Sequence, residues 1–347
     1  MLAKWTTAAC LLVSAFGVAG PAHAQKQFSG ITLNVNGYGG AYDDILKETV
    51  AKPLKEKFGL EVVYQPSGST SATARLLASR NDPPYDILMA DSPAMPGLIE
   101  AGVLEEITAA EVPATARVFP QLREFGNYGL PFSIASVALV SNRNLVKTPP
   151  KSIKDLARPE YKGKVALISL ESSGGILSLM AMAESAGGGV NDADPGFKVL
   201  QTIKPNLLSA FGATVPQLQA FQQEEAAVGI FWNGRIYELQ TKGAPVDLIV
   251  PEEGIYSLSS YVNAVKGSKH RAAQMAYLEQ ALSDEAIAAL AIKFTYGPTT
   301  PVKLPDEIAG KVITYGPEGL KKVKTLDWAA VAKNRGAWVT QWNKEMR

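Results

Sequence analysis

The sequence predicts an α/β protein of two lobes, with parallel-dominated sheets and a hinge of two crossover strands. The chain has 347 residues, more than a single compact core usually organises. Strand-like and helix-like patterns alternate through most of it, which favours parallel strands joined by crossover helices. Two β-rich runs, residues 132–144 and 257–265, are long enough to carry the chain from one lobe to the other and back.

The first 24 residues are predicted to be a secretory signal peptide. Lys4 precedes an apolar run over residues 8–18, and Pro21-Ala22-His23-Ala24 closes it with an A-x-A pattern. We expect cleavage after Ala24 and a periplasmic mature protein; the alternative is a buried N-terminal helix. Cleavage removes Cys10, the only cysteine, and a large thiol-free chain suits a bacterial periplasm better than a small disulfide scaffold.

Residues 25–133 are predicted to form lobe 1. Strand patterns cover residues 31–36, 60–65 and 85–90, and helical patterns cover residues 41–58 and 70–79. Ligands of open parallel sheets bind outside the carboxyl ends of the strands. Those ends fall at residues 37–40, 66–71 and 91–92, which are small and polar. The sequence therefore places a candidate ligand site at these three segments.

Residues 134–263 are predicted to form lobe 2, and residues 264–347 to return largely to lobe 1. Lobe 2 contains a strand pattern at residues 163–169, then Glu171-Ser172-Ser173-Gly174-Gly175 and a helix through Ala186. Further strand patterns lie within residues 226–235 and 244–254. Residues 270–291 are alanine-rich and predicted to be helical, and the chain ends in a mixed polar helix.

Composition and motifs argue for ligand capture without catalysis. A formal net charge of +1 gives no basis for binding nucleic acid or a membrane surface. Gly37-x-Gly39 begins a dinucleotide fingerprint, but Tyr42 stands where its third glycine belongs. No P-loop or G-x-S-x-G nucleophile elbow is present. His270, the only histidine after residue 24, lies among basic residues. We therefore predict no catalytic residue, no cofactor and no metal site.

The segment "AAVGIFWNGRIYELQTKGAPVDLIVPEEG" (226–254) resembles the spermidine/putrescine-type solute-binding proteins of ABC transporters. Further similar stretches are "PYDILMADSPAMPGLIEAGVLEEI", "RPEYKGKVALI" and "FTYGPTTP". The resemblance implies the type II periplasmic binding fold, in which two lobes close on a solute by hinge motion. It also implies a small-molecule ligand, ABC permease subunits as partners and, as the family default, a monomer.

The matching motifs carry the family's binding positions onto this chain. Including neighbouring polar groups, the predicted ligand-binding set is Tyr38, Gly39, Gly40, Ser67, Asp91, Ser92, Ser172, Ser173, Gly174, Trp232, Arg235, Tyr256, Ser260 and Tyr296. Several members have structural alternatives. Trp232 is also placed like a core aromatic, and Arg235 is also positioned to pair with Glu238. The serines and Asp91 are suited to capping, and the glycines to a tight turn.

One departure from the family bears on the ligand. Where polyamine binders usually present Trp-x-Asp after the Pro-x-Glu-Gly motif, this chain has Leu258 and Ser260. The usual carboxylate for an ammonium group is therefore missing. Arg235, which follows Trp-Asn-Gly, is able to bind a carboxylate or phosphonate. If a helix begins at Ser172-Ser173, its N-terminus would also favour binding of an anion.

The sequence thus predicts a periplasmic solute-binding protein whose preferred ligand is a carboxylated or zwitterionic amine. One alternative is a polyamine binder that uses Asp91 or Glu171 as its carboxylate. A secreted enzyme on the same fold, such as a hydrolase or lyase, is an alternative of another class. A chemoreceptor accessory that signals instead of transporting is a third.

Overall fold

The computed structural model describes residues 26–346, so the predicted signal peptide lies outside the described residues. The strands there are β1 (Thr32–Gly37), β2 (Glu61–Pro66), β3 (Ile87–Asp91), β4 (Leu130–Asn142), β5 (Val165–Ile168), β6 (Leu207–Phe211), β7 (Val228–Trp232), β8 (Val246–Ile249), β9 (Ile255–Ala264) and β10 (Val323–Lys324). The α-helices are α1 (Ala41–Leu46), α2 (Lys52–Phe58), α3 (Ser69–Ala78), α4 (Met95–Glu100), α5 (Ser173–Ser185), α6 (Asp194–Ile203), α7 (Thr214–Gln222), α8 (Asn233–Thr241), α9 (Arg271–Ala281), α10 (Asp284–Phe294), α11 (Asp306–Ala309), α12 (Gly316–Lys321) and α13 (Trp328–Met346).

The strands form one continuous sheet in the order β2-β1-β3-β9-β4-β7-β5-β6, with β10 beside β9 and β8 beside β4. Each outer part is parallel: β1 pairs with β2 and β3, and β5 pairs with β6 and β7. The two long strands at the centre, β4 and β9, run antiparallel to each other. The predicted α/β class with two crossover strands is confirmed.

Burial along β4 and β9 shows how these strands join two lobes. Residues 130–134 of β4 pack into a core with β1 and β3, whereas residues 135–140 pack into a second core with β5 and β7. Strand β9 changes core in the opposite direction, from Tyr256 and Leu258 in the second to Val262 and Ala264 in the first. Both strands are buried along their whole length, as expected of a strand covered on both faces.

Several helices differ from the sequence expectation. The helix expected over residues 41–58 contains a π-helical segment at Lys47–Ala51. The single helix expected over residues 270–291 is divided at Ser283, whose side chain caps α10 by accepting a hydrogen bond from Ala286 N. Strand β6 and helix α7 were not predicted, because β6 is short and only half-buried and lacks a clear apolar alternation.

The last helix, α13, crosses back to lobe 2. Its buried residues Trp328, Val331, Trp338 and Trp342 belong to the core built around β5 and β7. The predicted division returns residues 264–347 largely to lobe 1, and α13 is a part of this range that packs on lobe 2 instead. No helix in residues 26–346 combines the length and apolar character needed to cross a membrane.

Candidate functional site

A cavity of about 580 Å³ lies between the two lobes, beside the hinge strands. It opens at the carboxyl ends of β1, β3 and β7, where parallel topology brings distant segments together. Its lining residues are Tyr38, Gly39, Gly40, Ala41, Tyr42, Gly68, Ser69, Asp91, Ala135, Thr214, Trp232, Arg235, Leu258, Ser260, Phe294 and Tyr296.

Asp91, the last residue of β3, supplies a carboxylate to the cavity. Its Oδ1 accepts hydrogen bonds from Tyr38 Oη at 3.0 Å and from Ser260 Oγ at 2.9 Å. Its Oδ2 accepts none from residues 26–346, which leaves it available to a ligand donor. Burial raises the pKa of the Asp91 carboxyl, and the hydrogen bonds from Ser260 and Tyr38 counter part of that rise.

The glycine turn after β1 forms a second edge of the cavity. Gly39 and Gly40 have φ angles of 80° and 56°, a region that side-chain-bearing residues rarely adopt. The Gly39 amide donates to Asp43 Oδ1 at 2.9 Å, so it serves the turn itself. Gly39 and Gly40 both belong to the predicted ligand-binding set, but the Gly39 amide already donates to Asp43.

Four aromatic rings form a continuous wall on the lobe 1 side. Tyr38 and Tyr42 have ring centroids 5.0 Å apart, Tyr42 and Phe294 are stacked at 5.6 Å, and Phe294 and Tyr296 are stacked at 5.3 Å. Burial holds the pKa of the Tyr38 and Tyr42 phenols well above the usual value. Both phenols therefore remain neutral hydrogen-bond donors at physiological pH.

Lobe 2 contributes an indole and a guanidinium. Trp232 ends β7 and lies over Gly174, where an added Cβ would be 2.8 Å from the ring. Arg235, one helical turn on, donates from Nη1 to Glu238 Oε2 at 2.6 Å. Its remaining N–H groups have no hydrogen-bond partner in the described chain. Arg235 thus pairs with Glu238 and is also among the residues that line the cavity.

Tyr296 lies within the influence of both charged groups. Burial raises the pKa of its phenol, the positive charge of Arg235 opposes that rise, and the negative charge of Asp91 adds to it. The cavity lining therefore contains a carboxylate, Asp91, and a guanidinium, Arg235, with Tyr296 in the field of both.

Eight of the fourteen predicted residues line this cavity: Tyr38, Gly39, Gly40, Asp91, Trp232, Arg235, Ser260 and Tyr296. The other six lie outside its lining: Ser67, Ser92, Ser172, Ser173, Gly174 and Tyr256. Gly174 belongs to the supporting layer, since it makes room for Trp232.

Three of these outside residues have other hydrogen-bond partners. Ser92 points into lobe 1, where its Oγ accepts from Ser259 N at 3.0 Å, because consecutive residues at a strand end face opposite ways. Ser172 Oγ donates to Ser169 O within its own turn. Tyr256 lies farther along β9 and donates to Glu184 at 2.8 Å.

Eight lining residues were not in the predicted set: Ala41, Tyr42, Gly68, Ser69, Ala135, Thr214, Leu258 and Phe294. Ser69 falls within the strand-end segment 66–71, and its Oγ accepts from Asp91 N at 2.9 Å. Tyr42 follows Tyr38 by four residues. No sequence pattern indicated Thr214 as a site residue, because it begins α7, a helix that the sequence analysis did not predict. Within the described part of the chain, no group of three or more potential metal ligands is present.

Comparison with known proteins adds three findings. A family model described as bacterial extracellular solute-binding protein matches residues 49–313. The spermidine/putrescine-binding periplasmic protein of Escherichia coli (strain K12) is 25% identical over 224 residues, which cover 60% of this chain and 62% of that protein. The matched segment thus spans less than two thirds of that relative's length.

Solved structures share the fold over nearly the whole chain. An ABC transporter structure from Clostridium perfringens ATCC 13124 aligns with a TM-score of 0.78 and 23% identity, covering 91% of this chain and 100% of that one. The periplasmic binding protein AfuA from Actinobacillus pleuropneumoniae, with fructose-6-phosphate bound, aligns with a TM-score of 0.74 and 20% identity, covering 92% and 99%. At these identities the likeness establishes the fold.

Proposed function

Because the chain belongs to the bacterial extracellular solute-binding protein family, we propose that it captures a small polar metabolite between its lobes and delivers it to an ABC importer. The observation that carries the proposal is the inter-lobe cavity, whose lining combines the Asp91 carboxylate, with one oxygen unpaired among residues 26–346, and the Arg235 guanidinium, with one hydrogen bond to Glu238. The protein acts in the periplasm, as a monomer, and its partners are the permease subunits of the importer.

The preferred ligand is a zwitterionic or carboxylated amine. Asp91 Oδ2 is free to accept a hydrogen bond from an ammonium group. The open N–H groups of Arg235 match a carboxylate, for which the planar guanidinium is well suited. The rings of Trp232 and Tyr38 would cover the apolar stem between the two charged ends.

The alternative ligand is a polyamine, as named for the Escherichia coli relative. Ser260 replaces the carboxylate usual in polyamine binders, but Asp91 pairs directly with Ser260 across β3 and β9. A carboxylate therefore reaches the same corner of the cavity from the neighbouring strand. Glu171, the other candidate, does not line the cavity. Against a polyamine stands Arg235, whose positive charge faces the same space.

Binding is favoured over catalysis by the family and by the cavity lining, which contains no histidine or cysteine. His270 lies at the start of α9, where its amide donates to Ser268 Oγ, and it is absent from the cavity lining. Release of a changed product from a bound solute would revive the enzyme alternative. A signalling role without transport would be supported if the chain bound a solute and no permease encoded beside its gene imported that solute.

The ligand class is tested with three four-carbon compounds that differ in their end groups: putrescine with two amines, 4-aminobutyrate with one amine and one acid, and succinate with two acids. A ligand that binds only the folded state at 100 times its Kd stabilises the protein by about 2.7 kcal/mol, so its melting temperature rises. We expect the largest rise with 4-aminobutyrate. A rise only with putrescine would support the polyamine alternative.

The test should be widened to a library of amino acids, polyamines, organic acids and sugar phosphates at millimolar concentration. Arg235→Ala should weaken binding of acid-containing compounds and leave putrescine binding equal or stronger. If no member of any charge class changes the melting temperature, capture of a small polar metabolite is the wrong function for this cavity.

A further inference from the structure

The asparagine of the Trp-Asn-Gly segment makes two hydrogen bonds that join separate parts of the molecule. Asn233 is 1% exposed. Its Oδ1 accepts from Ser136 N at 3.0 Å, and its Nδ2 donates to Thr295 O at 2.8 Å. Asn233 begins α8 of lobe 2, Ser136 lies midway along hinge strand β4, and Thr295 follows α10 of lobe 1. One buried side chain therefore contacts both lobes and the hinge.

The segment around Thr295 is held at two further points. Gly297 and Ile134 exchange backbone hydrogen bonds of 3.0 and 2.9 Å, which attach the segment to β4. On the other side it lies so close to α8 that a Cβ added at Gly234 would be 2.7 Å from Phe294 O and 2.8 Å from Tyr296 Cε1. Only glycine fits this approach without displacing the segment.

This segment carries two rings of the cavity wall, Phe294 and Tyr296, which lie on either side of Thr295. Their position therefore depends on where Thr295 is held. Thr295 itself has a φ of 51°, an uncommon conformation for a residue with a β-branched side chain. Such a conformation persists when surrounding contacts fix it, and the hydrogen bond from Asn233 is one of those contacts.

We propose that Asn233 is a positioning residue: it fixes the Tyr296 segment to lobe 2 and to the hinge, so that this corner of the cavity stays rigid while the lobes move. The inference rests on the proposed function, in which the lobes close around a solute. A buried amide that lost either partner would leave an unsatisfied polar group, which is costly. When the lobes close, they therefore rotate about the contacts of Asn233 with Ser136 and Thr295, and this joint stays intact.

The test measures the distance between the lobes in the ligand-free protein. A chain beginning at Gln25 contains no cysteine, so spin labels can be attached to cysteines introduced at Lys57 and Lys198, exposed residues of lobes 1 and 2. Pulsed electron paramagnetic resonance then gives the distribution of inter-lobe distances for the parent protein and for Asn233→Ala.

A matched control is available at Asn206, a buried asparagine within lobe 2. It is 4% exposed, and its Nδ2 donates to Leu156 O at 3.0 Å and to Arg158 O at 2.7 Å. Asn206→Ala should leave the distance distribution unchanged, whereas Asn233→Ala should broaden it. An unchanged distribution in Asn233→Ala, or equal broadening in both variants, overturns the proposal.

Gly234→Ala tests the same joint if Asn233→Ala does not fold. Its added methyl group pushes against Phe294 O and Tyr296, so it should broaden the distribution as well, and an unchanged distribution overturns the proposal. Because the measurement needs no ligand, its result is separate from that of the thermal-shift screen. If Asn233→Ala broadens the distance distribution but no compound changes the melting temperature, only the proposed function is contradicted, and the positioning role of Asn233 stands.

Discussion

Replacing Asp91 with asparagine separates the charge of this side chain from its shape. The amide oxygen of the introduced asparagine can still accept hydrogen bonds from Tyr38 Oη and Ser260 Oγ, as Asp91 Oδ1 does. The change falls on Oδ2, the oxygen that has no hydrogen-bond partner among residues 26–346. It becomes an NH₂ group, which donates and cannot accept a hydrogen bond from an ammonium group.

The expected loss of amine affinity follows from that single contact. A hydrogen bond to a charged group contributes about 1.5–3 kcal/mol, and about 1.4 kcal/mol corresponds to a tenfold change in Kd. Asp91→Asn should therefore weaken 4-aminobutyrate binding roughly 10- to 150-fold. Succinate carries no amine, so its affinity should stay the same or rise when the negative charge is removed.

The same substitution should stabilise the ligand-free protein at neutral pH. Burial raises the pKa of Asp91 above that of the unfolded chain. A carboxyl of this kind favours the fold when protonated, and that contribution is lost as pH rises through the raised pKa. Asparagine stays neutral, so the melting temperature of Asp91→Asn should exceed that of the parent protein at neutral pH and approach it in acid.

The assay is calorimetric titration of parent and variant with the three four-carbon compounds, alongside thermal unfolding without ligand. Glu171→Gln is the control, because Glu171 is an exposed carboxylate outside the cavity lining. Equal weakening of 4-aminobutyrate and succinate by Asp91→Asn would refute the reasoning, since it would mean that the variant disturbs the cavity as a whole. A lower melting temperature at neutral pH would refute the stability argument.

Three further predictions concern the surroundings of the site. Gly174→Ala places a methyl group 2.8 Å from the Trp232 ring and should lower the affinity for any bound probe, whereas Gly189→Ala, with open space around it, should leave titrations unchanged. Ser283→Ala removes a helix cap and should cost about 1 kcal/mol in thermal unfolding without changing ligand affinity; an unchanged melting temperature would contradict this. Burial raises the pKa of Glu124, so Glu124→Gln should gain stability relative to the parent as pH rises from acid to neutral, and parallel pH profiles would contradict it.

Much of the site followed from local pattern. The carboxyl ends of β1 and β3 were recognisable as strand ends, so Tyr38 and Asp91 were predicted where the cavity has them, whereas Trp232 came from the resemblance of its Trp-Asn-Gly segment to the solute-binding proteins. The signal was reliable because an apolar strand followed by glycine or a polar residue reports its own end. The parallel arrangement then brings such ends to one edge of the sheet.

Some predicted residues lie outside the cavity lining because of the direction of their side chain or their distance along a strand. Ser92 was predicted beside Asp91 but faces the opposite side of the strand, because side chains alternate. Tyr256 shares a face of β9 with Ser260 but lies four residues away, roughly 13 Å at the rise of an extended strand. Thr214 was missed altogether, because the half-buried β6 before it has no regular apolar alternation.

The sequence by itself determined the α/β class, the two crossover strands and the segments that end at the cavity, because these depend on periodicity within short stretches of chain. The tertiary structure decided which of those groups meet. It paired Asp91 with Ser260 across neighbouring strands, divided Arg235 between Glu238 and the cavity, and joined Asn233 to both Ser136 and Thr295. Those pairings depend on strand register and lobe packing between residues far apart in the chain, and no local pattern specifies them.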